Sequence, residues 1–255
     1  MASAGSVWDL GLQLNASIPH NPDFVRFSLA FTQTPEGTGA NSRFQYSAEV
    51  IAGCPHVGTH IDALIHVQAD GRVFGGALAQ EARDDRGWRR HGMETVPPII
   101  GRGVVLDLPA LFGLSRLPDS QEIGVADLKA ALRRGGQQVT HGDIVLVRTG
   151  KMQDFADPVA FQAAEPGIGR DGAIWLFEQG MAVLGSDTTG TEPLPFKDPA
   201  QTTHRAMLVE RGVHLIENLW LEDVAAAGVR EGLFIALPLR ITGATGSWLR
   251  PVLVT

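Results

Sequence analysis

The residues able to do chemistry are concentrated in one stretch, Cys54-Pro55-His56-Val57-Gly58-Thr59-His60-Ile61-Asp62-Ala63-Leu64-Ile65-His66. Three of the 8 histidines of the chain and one aspartate fall inside it. Imidazole nitrogen and carboxylate oxygen are the donors that suit a borderline divalent metal ion. His60 and Asp62 are two apart, so on an extended strand both side chains leave the same face, and Gly58 permits a bend that carries His56 to the same point. Asp62 and His66 are four apart, a spacing that a helical turn starting near Asp62 would bring onto one face. Three converging donors leave a position for water at the ion, and a neighbouring imidazole with a near-neutral pKa suits proton transfer. The helical zinc motif in which Glu follows the first histidine does not apply, because Val57 stands there and Gly58-Thr59 discourage a helix.

Such a cluster needs a rigid frame. Short apolar runs at 104–108, 143–148, 182–185, 213–217 and 233–237, bounded by Gly, Pro or Asp, read as strands covered on both faces. Helical spacing marks 125–134, with Leu128, Ala131 and Leu132 on one stripe, and 171–179, with Asp171 as N-cap and Gly180 as the stop. The alternation of strand and helix predicts an α/β protein, and the period-2 pattern of 44–51 adds an antiparallel strand, so the expected sheet is mixed. Residues 75–98 carry Arg83, Asp84, Asp85, Arg86, Arg89 and Arg90 among small residues and read as an exposed excursion with some helix. With no repeat or Gly/Ser linker, residues 1–255 are expected to form one domain.

Composition narrows the function. A charged fraction of 19% and a formal net charge of -7 repel a phosphate backbone, which argues against nucleic acid. Cys54 is the one cysteine, so an intramolecular disulfide and a cysteine-based zinc knuckle are excluded; with no basic neighbour it reads as a small packed residue. The first residues lack a signal-peptide pattern and no run approaches the ~20 apolar residues of a membrane span, so a cytoplasmic protein without a membrane partner is expected. Gly167-Ile168-Gly169-Arg170-Asp171-Gly172 matches a dinucleotide-binding pattern, but the strand that should lead into it is missing. Neither a phosphate-binding P-loop nor a G-x-S-x-G elbow occurs. Trp8, Trp88, Trp175, Trp220 and Trp248 are scattered, and any could line an aromatic pocket.

The pattern His56-x-Gly58-Thr59-His60-x-Asp62-x-x-x-His66 resembles the signature of the cyclase-like metal-dependent hydrolases, which include bacterial kynurenine formamidases and isatin hydrolases. The segments 97–107, 142–150, 185–188 and 204–219 look similar too, so the likeness spans most of the chain. It implies a partly barrel-like mixed sheet flanked by helices, with His56, His60 and Asp62 as ligands of a first metal and His66 as the catalytic histidine. In the formamidase branch a late histidine and a glutamate hold a second metal, which would map onto His204 and Glu217, with Glu217 also a candidate for proton transfer. Formamidases tend to carry Pro two residues after the aspartate where this chain has Leu64, and the long 75–98 excursion resembles the larger isatin-hydrolase-type members.

The expected activity is hydrolysis of a carbon–nitrogen bond in a small cyclic or aryl-linked amide, with a divalent ion, zinc or manganese, as cofactor. The partners expected are a small-molecule substrate and further copies of the chain, as a dimer or tetramer. Thr59 and Thr188 are candidate donors to the substrate carbonyl. Two alternatives keep the same metal: hydrolysis of a lactone or other ester, and a binding protein in which a fourth protein ligand closes the site. His214 lies three residues before Glu217, and spacing alone leaves open which of the two enters the site.

Overall fold

The near-continuous apolar runs become the middle of a nine-stranded sheet in the computed structural model, which describes residues 5–39 and 43–255. Its strands are β1 (Val7–Asp9), β2 (His60–Asp62), β3 (Ile99–Asp107), β4 (Ile144–Arg148), β5 (Val183–Ser186), β6 (His214–Glu217), β7 (Glu231–Ala236), β8 (Gly246–Trp248) and β9 (Val252–Val254). They lie in the order β1-β9-β7-β3-β4-β5-β6-β2-β8. The neighbours from β3 to β6 run parallel and the remaining pairs antiparallel. The sheet curls into a half-barrel with few helices, an α/β arrangement of the kind expected.

Alternation along the central strands explains why they read as unbroken apolar runs. Val104, Leu106, Val145, Val147, Leu184 and Leu215 enter one core, while Val105, Ile144, Leu146, Val183 and Ile216 enter the other. Both faces are covered, so neither set can be polar. Two helices close the first core: α1 (Val125–Gly135) through Leu128, Ala131 and Leu132, and α2 (Arg170–Glu178) through Ala173 and Leu176. The N-cap of α2 is Gly169, two residues before the expected Asp171, which lies instead in the first turn where a carboxylate favours the helix dipole. Gly180 follows the end of the helix and donates its N–H to Phe177 O at 2.9 Å.

Two expectations need correction. The 75–98 excursion does expose Arg83, Asp84, Asp85, Arg86, Arg89 and Arg90, but Ala82, Met93 and Val96 are buried in the second core, with Trp88 packed against it. It is therefore a cover for the sheet; its regular structure is a two-residue ribbon, Arg83–Asp84 with Gly87–Trp88, and short 3-10 turns. The antiparallel strand expected at 44–51 is confined to Ala48–Ala52, which pairs with Ser28–Gln33 in a ribbon outside the main sheet. Among the described residues no helix is long and apolar enough to cross a membrane.

Candidate metal centre

β2 is hydrogen-bonded on both sides, with Glu217 of β6 opposite His60 and Gly246 of β8 opposite Asp62. Opposed residues of antiparallel strands project from the same face, so β6 delivers Glu217 beside the histidine strand. His60 Nε2 lies 3.3 Å from Glu217 Oε2 and 3.5 Å from Asp62 Oδ1. Gly58, at φ +74°, bends the chain ahead of β2 in a conformation that favours glycine. The carbonyl of Gly58 accepts from His60 Nδ1 at 2.8 Å, which leaves the lone pair of His60 on Nε2. His56 bonds Thr245 Oγ1 through Nε2 at 2.9 Å and brings Nδ1 to 2.9 Å from Asp62 Oδ1.

His66 arrives by a different route from the expected helical turn. Its N–H donates to Ala63 O at 2.9 Å, closing a tight turn, and its ring stacks on that of His56 with centroids 3.8 Å apart and planes at 25°. The structure thus forms two compact groups of ligand atoms: His56 with Asp62 and His66, and His60 with Asp62 and Glu217. Asp62 is common to both, and the expected set of His56, His60 and Asp62 gathers round its Oδ1, with His56 Nδ1 at 2.9 Å and His60 Nε2 at 3.5 Å. His204 completes the ring of donors, with Nε2 at 3.4 Å from Asp62 Oδ2 and 3.4 Å from Glu217 Oε1.

The donor atoms fit a cation. His56 Nδ1, His60 Nε2 and both oxygens of Asp62 are buried without a hydrogen-bond partner. An unsatisfied buried polar atom costs about 1–3 kcal/mol, and more when charged. His56 Nδ1 and Asp62 Oδ1 are close enough to bond but not aligned for it. Lone pairs that converge in this way match the needs of a divalent ion held by imidazole and carboxylate.

Electrostatics agree with that reading. Burial works to raise Asp62, but His66, His204 and His56 outweigh it and hold the carboxyl well below its usual range. Burial would lower His204, yet Glu192, Glu217 and Asp62 hold it well above the ordinary histidine value. His60 is raised by Glu217 and Asp62 against its burial. Burial, reinforced by His56, His204 and His60 and opposed by Asp62, pushes His66 down to about 3, so its ring is neutral at physiological pH.

Neither threonine proposed as a substrate donor is placed to act as one. Thr59 Oγ1 accepts from Leu12 N at 2.9 Å and commits its single proton to Asn218 O at 2.7 Å. Thr188 is fully buried and donates to Ser186 Oγ at 3.1 Å. His214 stays outside the ligand groups and donates from Nδ1 to the carbonyl of Asp62 at 2.8 Å, so Glu217 is the member of that pair that enters the site.

Spacing along the chain missed two further residues. Thr191 Oγ1 donates to Glu217 Oε1 at 2.7 Å, and Glu192 Oε2 accepts from His204 Nδ1 at 2.7 Å. Their one sequence cue is a polar run directly after the apolar strand β5, which marks a loop at a strand's carboxyl end. The glycine pattern at 167–172 serves that loop: a Cβ on Gly167 would lie 2.3 Å from Glu192 C and Thr191 O. No strand leads into the pattern, and the two-residue strand Gly167–Ile168 pairs with Glu122–Ile123 away from the main sheet. Beside His56 lies a small apolar cluster that includes Phe24, Phe27, Phe155 and Trp248, with the Phe24 ring 6.0 Å from the imidazole.

Residues 8–193 match the family model described as "Putative cyclase". The chain is similar to the kynurenine formamidases of Bacillus cereus and Bacillus cytotoxicus, each 27% identical with 97% of both chains covered. A crystal structure described as a novel cyclase superposes with a TM-score of 0.88 at 29% identity, covering 98% of this chain and 87% of that one. Isatin hydrolase A from Ralstonia solanacearum shares the fold, with a TM-score of 0.77 at 22% identity over 98% of this chain and 92% of its own.

The buried protons of the centre have a measurable consequence. Glu165 lies against the 186–192 loop, where burial pushes its carboxyl up to about 8 despite the amides of Thr189 and Gly190. Folded Glu165 keeps its proton above the ordinary 4.5, and folded His204 above the ordinary 6.5. Their contributions are complete below those ordinary values and are lost as pH rises through the folded ones. Protein stripped of metal by a chelator should therefore lose thermal stability as pH climbs from 6.5 to about 8. Thermal melts across that range check this, and a profile that rises throughout would contradict it.

Proposed function

The chain belongs to the Putative cyclase family, and from that premise we propose that it is a metal-dependent hydrolase cleaving a carbon–nitrogen bond in a formamide or small cyclic amide that carries an aryl group. The observation that carries the reading is the set of buried, unpartnered donor atoms on His56, His60 and Asp62. The kynurenine formamidase relatives support an amide, and the aromatic cluster beside His56 supports an aryl group.

His56, His60 and Asp62 would hold a divalent ion, zinc or manganese, with His204 and Glu217 completing the set or holding a second ion. When bound, such an ion supplies Lewis acidity that acidifies water and polarises an amide carbonyl. The position of His66 beside His56 and Asp62 supports its accepting a proton from the attacking water and returning it to the leaving nitrogen, although burial holds its ring at about 3, below the near-neutral value expected of such a group. Glu217 Oε1 is occupied by the Thr191 hydroxyl, which leaves Oε2, the oxygen nearest His60, to take part in ligation or proton transfer. Phe24 beside His56 gives an aryl ring an apolar face to lie on.

The same reading places residues 1–255 in one domain and the protein in the cytoplasm, where its lone Cys54 would stay reduced. A homo-oligomer is supported by the Ser28–Gln33 and Ala48–Ala52 ribbon, which leaves Leu29, Phe31, Val50 and Ile51 more than half exposed. A two-stranded ribbon is marginal by itself in water.

Purified protein loaded with zinc or manganese should hydrolyse N-aryl formamides or cyclic aryl amides, followed by absorbance. Turnover of matched esters alone would move the activity to the ester bond, and turnover of none of them would sink the reading. His60→Ala should lose metal and activity together, as read by elemental analysis and assay; full metal content in that variant would remove His60 from the ligand set. His66→Ala should keep its metal while kcat falls by about 10²–10⁴-fold, the usual contribution of a positioned acid–base group. Loss of metal in that variant would make His66 a ligand, as its grouping with His56 and Asp62 allows.

A further inference from the structure

The loop at 186–192 is held far more firmly than a connection of its length requires. Asp187 accepts from Thr149 N at 2.8 Å, Thr149 Oγ1 at 2.7 Å and Gly150 N at 2.8 Å. Glu165 accepts from Thr189 N at 2.8 Å and Gly190 N at 2.6 Å. Ile168 N donates to Thr191 O at 2.9 Å. Thr191 itself stands at φ +57°, a conformation that a β-branched residue adopts only when its surroundings impose it.

The loop delivers the Glu192 carboxylate to the back of the His204 ring. Glu192 Oε2 accepts from His204 Nδ1 at 2.7 Å and from the His204 backbone N–H at 3.1 Å, and both side chains are buried. A ring nitrogen that close to a carboxylate carries a proton. The lone pair available to a cation must then sit on Nε2, the atom that faces Asp62 and Glu217. Without the carboxylate the ring could take the other tautomer or turn about its side-chain bonds, and the backbone of His204 would lose an acceptor.

We propose that Glu192 is a positioning residue that makes His204 a metal donor, by fixing its tautomer and ring orientation and by raising the basicity of Nε2. The inference rests on the metal-dependent reading above and extends it beyond the residues that can touch the ion. Carboxylate partners of ligating histidines typically change metal affinity by about 10–100-fold when removed. A purely structural ion pair would instead change stability and leave affinity alone.

The test is a zinc titration of wild-type, Glu192→Ala and Glu192→Gln protein against a chromophoric chelator, with cobalt(II) absorption spectra as a second view of the ligand field. Glu192→Ala should bind zinc about 10–100-fold more weakly and shift the cobalt bands, whereas Glu192→Gln, which keeps an acceptor but not the charge, should recover part of the affinity. Equal zinc affinity in wild type and Glu192→Ala overturns the proposal, whatever happens to the melting temperature. If Glu192→Ala does not fold, the near-isosteric Glu192→Gln decides alone: an affinity about fivefold or more below wild type supports the proposal, and an unchanged one overturns it. Failure of the parent reading looks different, because wild-type protein would then take up no zinc.

Discussion

A carboxylate with no exposed surface and no hydrogen bond to either oxygen is the constraint on which this structure turns. Asp62 ends a strand that is paired on both sides, and its carboxylate has no exposed surface, so an isolated charge there is prohibitively costly unless opposite charge surrounds it. The surrounding fold meets that demand in layers. β2 is paired on both sides, Thr59 ties the start of the strand to Leu12 and Asn218, and His214 holds the backbone carbonyl of Asp62 itself. Around the carboxylate stand His56, His60, His66 and His204, each placed by a different segment or turn.

Buried acids are abundant here, and their hydrogen bonds tell them apart. Asp187 and Glu165 are as deeply buried as Asp62, yet their oxygens are filled by backbone amides and a hydroxyl, so they serve as clamps. Glu217 and Glu192 lie between these extremes: Glu217 accepts from Thr191 on one oxygen and faces His60 with the other, and Glu192 accepts from both the ring and the backbone of His204. The gradient runs from satisfied acids in the scaffold to an unsatisfied one at the centre. That is the pattern expected when the outer groups hold the inner ones in place for an ion.

The mixed sheet is what allows the two halves of the site to meet. Parallel strands β4, β5 and β6 all end at the same edge and release their loops there, supplying Thr149 and Gly150, the 186–192 segment, and Glu217 with Asn218. β2, running antiparallel to β6, inserts the histidine strand next to those ends. Crevices at the carboxyl ends of parallel strands are common ligand sites in open α/β sheets, because loops from several strands converge there without competing for ladder hydrogen bonds.

Much of this was legible in the sequence where the governing pattern is local. Apolar runs at 143–148 and 182–185 mark central strands because both of their faces are buried. The stripe of Leu128, Ala131 and Leu132 marks a helix because only one of its faces is. His60 and Asp62 share a face because strands repeat every two residues, and Gly58 bends where a bend was needed. Other features depended on groups far apart in the chain. Thr59 looked like a substrate donor until Asn218, 159 positions away, claimed its proton, and His66 reached the site by a tight turn rather than a helix. Glu192 and Thr191 carry no spacing signal, since their partners lie 12 and 26 positions away and on other elements. Periodicity determines which face a side chain leaves from; which atom it meets there is decided by strand order and loop path, and these depend on the packing of the whole chain.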